Sequence, residues 1–215
     1  MPSHQLATPE LATVEIQGMS RGAFVLRSVF AAGAVYGAAV VGPFVRQSFA
    51  QEAEGESTDI DILNFALTLE LLEANFYETA SRDVPGLGGD IRDLTEQLAS
   101  DEAEHVAALT SLIRDLKGTP VEAPAFEYGD AFANQANYLT LAQTFEDTGV
   151  AAYNGAGPQI LDKKLLAVAG TIVQIEGRHA ALIRRARGAD IAPVAFDETL
   201  EKGEVLRAVD PFILS

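Results

Sequence analysis

Histidine is scarce in this 215-residue chain, and the spacing of its histidines indicates a chemistry. After residue 50 the only histidines are His105 and His179, and each follows a glutamate by three residues, as Glu-x-x-His. Residues three apart share one face of a helix, so each motif directs a carboxylate and an imidazole to the same point. Carboxylates and imidazoles are common ligands of divalent metals. The motifs therefore predict metal ligation by Glu102, His105, Glu176 and His179.

An internal repeat adds two further glutamates. Residues 63–77 share their spacing of apolar residues, glutamate and tyrosine with residues 139–153, and the repeat aligns Glu70 with Glu146. Each glutamate precedes a Glu-x-x-His motif by about thirty residues. One glutamate from each of two helices, with Glu-x-x-His from each of two others, is the ligand set of di-iron and di-manganese carboxylate proteins. The sequence therefore predicts a dinuclear centre, with no catalytic residue distinct from its ligands.

The pattern leaves open the roles of three neighbouring residues. Tyr77 and Tyr153 each lie seven residues after a predicted ligand, on the same helical face. A role beside the metals and an ordinary core position with a satisfied hydroxyl both stay open for them. Glu73 competes with Glu70 for the inward position, but the repeat aligns Glu73 with Gly149, which cannot be a ligand. We therefore predict that Glu73 lies at the edge of the bundle, where it could gate metal entry.

Four long helices must position these side chains. Periodicity predicts helices from behind the cap candidates 57–59 to about residue 80, then at about 90–117, 130–154 and 158–187. Residues 85–89 and 155–158 form short Gly- and Pro-containing breaks, so the first two and the last two helices should pair as antiparallel hairpins. Pro158 is expected as the first residue of the fourth helix, and Gly188 ends it.

The connection between the second and third helices is longer. Residues 118–129 include two prolines and can extend to ~40 Å, about the length of the second helix. This connection can cross the whole bundle and make the third helix parallel to the second. The ferritin-like bundle has this pattern of connections, with a short first, a long second and a short third connection between its four helices. We predict an all-α ferritin-like four-helix bundle at 51–188, preceded by an N-terminal segment at 1–50 and followed by a tail at 189–215 that packs on it.

From about Asp59 to Arg187 the chain resembles the ferritin-like superfamily. Residues 144–155 and the tail resemble exported ferritin-like proteins that include the desiccation-related group, and the first helix is similar to that of bacterioferritins. The resemblance implies metal holding or oxygen-dependent iron oxidation. It also implies that an aspartate before each Glu-x-x-His orients a histidine. Asp101 fits that pattern, whereas Ile175 replaces the second aspartate, so one imidazole should be less well fixed.

Composition excludes several classes of protein and of site. The chain has no cysteine, which excludes thiol catalysis and iron–sulfur clusters. Its 15 Lys+Arg against 31 Asp+Glu leave no basic surface for nucleic acid. No methionine follows residue 50, so the bis-Met haem site of bacterioferritins cannot exist. The expected cofactors are two metal ions, iron first and manganese second, without haem.

Residues 1–50 differ from the rest of the chain. Arg21 and Arg27 precede an uncharged stretch at 28–45, and residues 48–50 (Ser-Phe-Ala) give the small-x-small pattern of a cleavage site. These features predict an export signal. Because roughly 18 uncharged residues approach the length of a membrane span, an uncleaved anchor through 28–45 is the alternative. Gly22 stands where a twin-arginine signal needs its second arginine, so the export route stays open. Either way the bundle is expected to be periplasmic, at the cell surface or extracellular.

Two functional hypotheses follow. The first is an exported protein whose dinuclear centre oxidises or sequesters iron with dioxygen or peroxide in stress protection. The second is a non-enzymatic structural or desiccation-stress protein that keeps the fold and binds metal without turnover. Retention of all six ligands favours metal binding but does not choose between turnover and passive binding. A homo-oligomer is compatible with either hypothesis.

Export makes a prediction about processing. If Ser48-Phe49-Ala50 is the cleavage site, protein recovered from outside the cytoplasm should begin at Gln51. Intact-mass measurement of the exported protein tests this. A species that pellets with membranes and retains the residues before 50 would instead support an anchor.

Overall fold

The computed structural model describes residues 58–214, so the predicted export signal or anchor lies outside the described residues. The described part contains five α-helices and two short strands: α1 (Asp59–Asp83), α2 (Gly89–Asp115), β1 (Ala125–Phe126), α3 (Gln135–Ala156), α4 (Lys163–Ala186), α5 (Lys202–Val209) and β2 (Ile213–Leu214). The predicted all-α fold is confirmed. None of the helices in residues 58–214 has the length and apolar character needed to cross a bilayer.

The crossover between α2 and α3 runs along α1. Near the start of α1, Asn64 donates to the carbonyl of Thr119 and accepts from the backbone N–H of Val121. Further along α1, the Tyr128 hydroxyl donates to the carbonyl of Leu72. The connection therefore passes from the first turns of α1 toward its end, as its extended length predicted.

Two more contacts establish the helix directions. The backbone N–H of Gly88 donates to the side chain of Gln135, which brings the starts of α2 and α3 together. The backbone N–H groups of Leu161 and Asp162 donate to the Asp59 carboxylate, which brings the start of α4 to the start of α1. Thus α2 and α3 run parallel, and each hairpin is antiparallel. The predicted four-helix bundle with a long crossover is confirmed.

The prediction that α4 begins at Pro158 is wrong. Pro158 lies in a single 3₁₀ turn at Gly157–Gln159, and α4 begins at Lys163. The reason is the cap, because the Asp162 carboxylate accepts from the backbone N–H groups at the start of α4. α3 likewise begins later than predicted, since a 3₁₀ turn at Ala131–Ala133 precedes the N-cap Asn134.

Two apolar clusters fill the bundle on either side of a polar layer. Along α2, Leu98 belongs to one cluster and Leu109 to the other, and Glu102 and His105 lie between them. The cluster near the start of α1 includes Leu63, Leu67, Leu109, Ile113, Leu165 and Ile172. The cluster near the end of α1 includes Phe76, Leu98, Tyr138, Phe145, Ile183 and the α5 residues Val205 and Val209.

The C-terminal segment contacts α3 closely. The backbone N–H of Leu200 donates to the carbonyl of Ala151 at 3.1 Å. At Gly155 the two backbones approach so tightly that an added Cβ would lie 2.0 Å from the carbonyl oxygen of Leu200. β2 then pairs antiparallel with β1 of the crossover, with Phe126 opposite Ile213. Gly155 therefore permits the approach that seats α5 on the bundle.

This contact makes a prediction about stability. Gly155→Ala should lower the free energy of unfolding by about 1–3 kcal/mol, because the methyl group must displace the backbone at Leu200. Gly170→Ala in α4 is the matched control, since nothing lies within 4 Å of its added Cβ. The control should be neutral or stabilising by up to about 1 kcal/mol. Urea unfolding of both variants measures the difference, and equal stability would contradict the close approach.

Candidate metal centre

The four long helices bring all six predicted ligands into one buried layer. Glu70, Glu102, Glu146 and Glu176 have no exposed surface. His105 and His179 are 8% and 2% exposed. Each helix contributes to the layer in the middle of its length, between the two apolar clusters.

His105 faces three carboxylates. Its Nδ1 atom lies 3.1 Å from Glu70 Oε2, 3.1 Å from Glu102 Oε2 and 3.1 Å from Glu176 Oε1. These three glutamates come from three different helices, α1, α2 and α4. One imidazole nitrogen and three carboxylate oxygens therefore converge on one point.

His179 faces a second point on the same layer. Its Nδ1 atom lies 2.9 Å from Glu102 Oε1 and 3.7 Å from Glu146 Oε2. The centroids of the His105 and His179 rings are 6.2 Å apart. Because one oxygen of Glu102 faces each imidazole, this carboxylate is shared between the two points.

The two tyrosines support the glutamates of the opposite hairpin. The Tyr77 hydroxyl on α1 donates to Glu146 on α3. The Tyr153 hydroxyl on α3 donates to Glu70 on α1 at 2.5 Å. Each hydroxyl thus restrains one carboxylate oxygen and leaves the other oxygen directed at an imidazole.

Asp101 holds the histidine of the other motif. Its Oδ2 atom lies 3.1 Å from Nε2 of His179, and the contact joins α2 to α4. In the neutral imidazole, an Nε2–H that donates to this carboxylate leaves the Nδ1 lone pair of His179 facing the centre. At the equivalent position of the second motif, Ile175 offers no acceptor.

The prediction that Glu73 lies at the bundle edge is wrong. Glu73 is 3% exposed, and its carboxylate lies in the same layer as the six predicted ligands. A Cβ added to Gly149 would lie 3.2 Å from Glu73 Oε1 and 3.5 Å from Glu176 Oε2. The repeat alignment contained the information needed to predict this position, because Gly149, which aligns with Glu73, leaves the space that this carboxylate fills.

Several buried polar atoms of the layer have no hydrogen-bond partner among the described residues. They are Glu102 Oε1, Glu146 Oε2, both carboxylate oxygens of Glu176, and His179 Nδ1. An unpartnered buried polar atom costs about 1–3 kcal/mol. The same atoms belong to two sets of donors whose members lie within 4.8 Å of one another: Glu70, Glu102, His105 and Glu176, and Glu102, Glu146 and His179. The residues therefore fit two cations that share Glu102.

Comparison with known proteins agrees with this architecture. The family model described as "Ferritin-like domain" matches residues 58–189. This chain belongs to the ferritin-like family. The ferritin-like chain is also 28% identical over 166 residues to "Desiccation-related protein PCC13-62" of Craterostigma plantagineum. That alignment covers 59% of this chain and 52% of the relative, so the chain spans about half the length of the relative it matches.

Burial and mutual repulsion set the protonation of the metal-free ferritin-like centre. Loss of solvation and the charges of neighbouring glutamates raise the pKa values of Glu70 and Glu146 well above the ordinary value. Desolvation also acts on Glu102, but its close contacts with the imidazoles of His105 and His179 lower its pKa to about 2. Against the desolvation of its own ring, contacts with three glutamates raise the pKa of His105 to about 12. Protons thus offset part of the buried negative charge.

The raised pKa of Glu146 makes a prediction about the metal-free protein. A carboxyl whose folded-state pKa is raised stabilises the fold below its ordinary pKa and loses that contribution as pH rises. At pH 7 the free energy of unfolding of Glu146→Gln should therefore equal that of the wild type or exceed it by on the order of 1 kcal/mol. At about pH 4 the difference should shrink, because Glu146 is then protonated in both states.

Urea unfolding at both pH values measures this effect. Glu104→Gln, at an exposed position of the same α2 helix that carries Glu102, is the control and should change stability little at either pH. A Glu146→Gln variant that is less stable than the wild type at pH 7 would contradict the prediction.

Proposed function

We propose that this protein binds two divalent cations, iron first and manganese as the alternative, and oxidises or sequesters iron in stress protection. The ligands are Glu70, Glu102, His105, Glu146, Glu176 and His179. The observation that carries the proposal is the shared Glu102, whose two oxygens lie 3.1 Å from His105 Nδ1 and 2.9 Å from His179 Nδ1. A carboxylate that faces two donor sets in this way is suited to bridge two cations.

The donor set favours iron or manganese. Carboxylate oxygens and imidazole nitrogens form both sets, and the chain has no cysteine to select softer metals. The charge of the four glutamates in the two donor sets equals that of two divalent cations. An iron pair bound here would supply electrons to dioxygen or peroxide.

The residues around the ligands prepare the centre for the cations. Tyr77 and Tyr153 each restrain one oxygen of a glutamate, and Asp101 orients His179. The apolar clusters on both sides limit access of water to the layer. These contacts hold the donor atoms near one another before a cation arrives, which lowers the cost of assembling the site.

A second candidate function is passive metal binding in a desiccation-stress protein. The relative from Craterostigma plantagineum is described as desiccation-related, which supports a role in stress for this chain. Burial of the centre favours this candidate, because all four glutamates are closed off from solvent. The two candidates share the ligands and differ in whether the metal reacts.

Export is part of the proposal. Arg21 and Arg27, the uncharged stretch at 28–45 and the small residues at 48–50 support a secreted protein, or one anchored through 28–45. Iron and either dioxygen or peroxide would then be encountered outside the cytoplasm. A homo-oligomer is compatible with this location.

Metal titration tests the centre. Anaerobic addition of Fe²⁺ or Mn²⁺, removal of free metal and elemental analysis should give two ions per chain. Glu102→Ala should lose both ions, because this carboxylate belongs to both donor sets. The exposed Glu104→Ala on the same helix should keep both.

The affinity for these cations should rise with pH, because cations displace the protons of His105 and of glutamates with raised pKa values. Wild-type protein that retains no metal would contradict the proposal.

Exposure of the ferrous protein to oxygen or peroxide separates the two candidates. Faster loss of Fe²⁺ with the wild type than with Glu102→Ala, followed with a colorimetric chelator, would support oxidation. Two bound ions without faster loss of Fe²⁺ or of peroxide would support passive binding.

A further inference from the structure

Glu73 is a fifth carboxylate in the layer and stands outside the six-ligand set proposed above. It lies three residues after Glu70 on α1 and is 3% exposed, although it is acidic. Burying a carboxylate without a compensating charge is costly. Its buried position therefore requires compensation, either by a proton or by a positive group near it.

Distances to Gly149 on α3 show where the carboxylate of Glu73 lies. An added Cβ at Gly149 on α3 would be 3.2 Å and 3.7 Å from the two carboxylate oxygens of Glu73. Gly149 lies three residues after Glu146 on the same helix, so the two share one face. The Glu73 carboxylate therefore reaches across from α1 to the side of the layer that holds Glu146.

Glu176 approaches the same place with one of its two oxygens. Its Oε1 atom lies 3.1 Å from His105 Nδ1, whereas its Oε2 atom lies 3.5 Å from the Cβ position of Gly149. Both oxygens of Glu176 are buried without a hydrogen-bond partner among the described residues. Glu73 and Glu176 Oε2 thus both border the space beside Gly149.

The two donor sets are unequal without Glu73. The set around His105 has three carboxylates, whereas the set around His179 has only Glu102 and Glu146. The repeat cannot supply a matching carboxylate for the His105 side, because Gly149 occupies the position equivalent to Glu73. Glu73 therefore has no counterpart in the second hairpin, and the set around His179 is the one with room for a further carboxylate.

We propose that Glu73 is a ligand of the cation held by Glu146 and His179, and that Gly149 provides the space this ligand needs. The inference rests on the proposed function, because it requires the two cations. It makes the two metal positions chemically different, with the additional carboxylate at the His179 position alone. Glu73 is then a seventh metal ligand rather than a gate.

Anaerobic calorimetric titration with Mn²⁺ tests the inference. Wild-type protein should bind two ions, and Glu73→Gln should weaken one of them by about tenfold or more while the other keeps its affinity. Gly149→Ala should weaken the same ion to a smaller extent, because its methyl group would lie 3.2 Å from Glu73 Oε1 and push that carboxylate by a few tenths of an ångström. Glu78→Gln, an exposed glutamate of the same helix, is the matched control and should leave both affinities unchanged.

Double variants show which donor set holds the ion that Glu73→Gln weakens. If Glu73 and Glu146 serve one cation, Glu73→Gln with Glu146→Gln should keep one tight ion. Glu73→Gln with Glu70→Gln should weaken both ions, because Glu70 belongs to the His105 set. The reverse pattern would overturn the assignment to the His179 position.

The remaining outcomes are also decisive. Two ions of wild-type affinity in both Glu73→Gln and Gly149→Ala would overturn the inference and leave the proposed function standing. Wild-type protein that binds no Mn²⁺ or Fe²⁺ would overturn both. Circular dichroism of each metal-free variant establishes that the helices are intact, and Gly149→Ala, which removes no charge, carries the test if Glu73→Gln does not fold.

Discussion

Five buried glutamates at one level of a four-helix bundle repel one another and have lost the water that would stabilise their charge. Four have no exposed surface, and Glu73 has 3%. Desolvation of this kind is strongly unfavourable unless opposite charge and hydrogen bonds compensate for it. In the metal-free protein the compensation comes from two imidazoles and from protons on the glutamates with raised pKa values. The other features of the bundle can be understood as ways of holding this layer together.

Contacts between the two hairpins hold the side chains of the layer in place. Tyr77 and Tyr153 each donate to a glutamate of the other hairpin, and Asp101 on α2 contacts His179 on α4. None of these contacts lies within one hairpin, so the centre and the packing of the two hairpins depend on each other. The apolar clusters above and below the layer keep its dielectric low, which strengthens every contact within it.

The repeat gives the layer an approximate twofold pattern, and two positions depart from it. Gly149 stands opposite Glu73, and the glycine leaves space that the Glu73 carboxylate fills. Ile175 stands in the place equivalent to Asp101 and has no group to orient a histidine. Both departures distinguish the side of His179 from the side of His105. A pair of equivalent half-sites is therefore an incomplete description of this centre.

The sequence by itself determined the helices, the hairpins, the crossover and the six residues that meet in the layer. Helical periodicity, the three-residue spacing of Glu-x-x-His and the length of residues 118–129 depend on neighbours along the chain. Tertiary structure decided the start of α4 and the position of Glu73, because both depend on residues that are distant in sequence. Asp162, held by Asp59 more than a hundred residues away, caps α4 and places its start beyond Pro158. Glu73 shares a helical face with Glu70, but the space that its carboxylate occupies lies beside Gly149 on another helix, and spacing along α1 does not show that space.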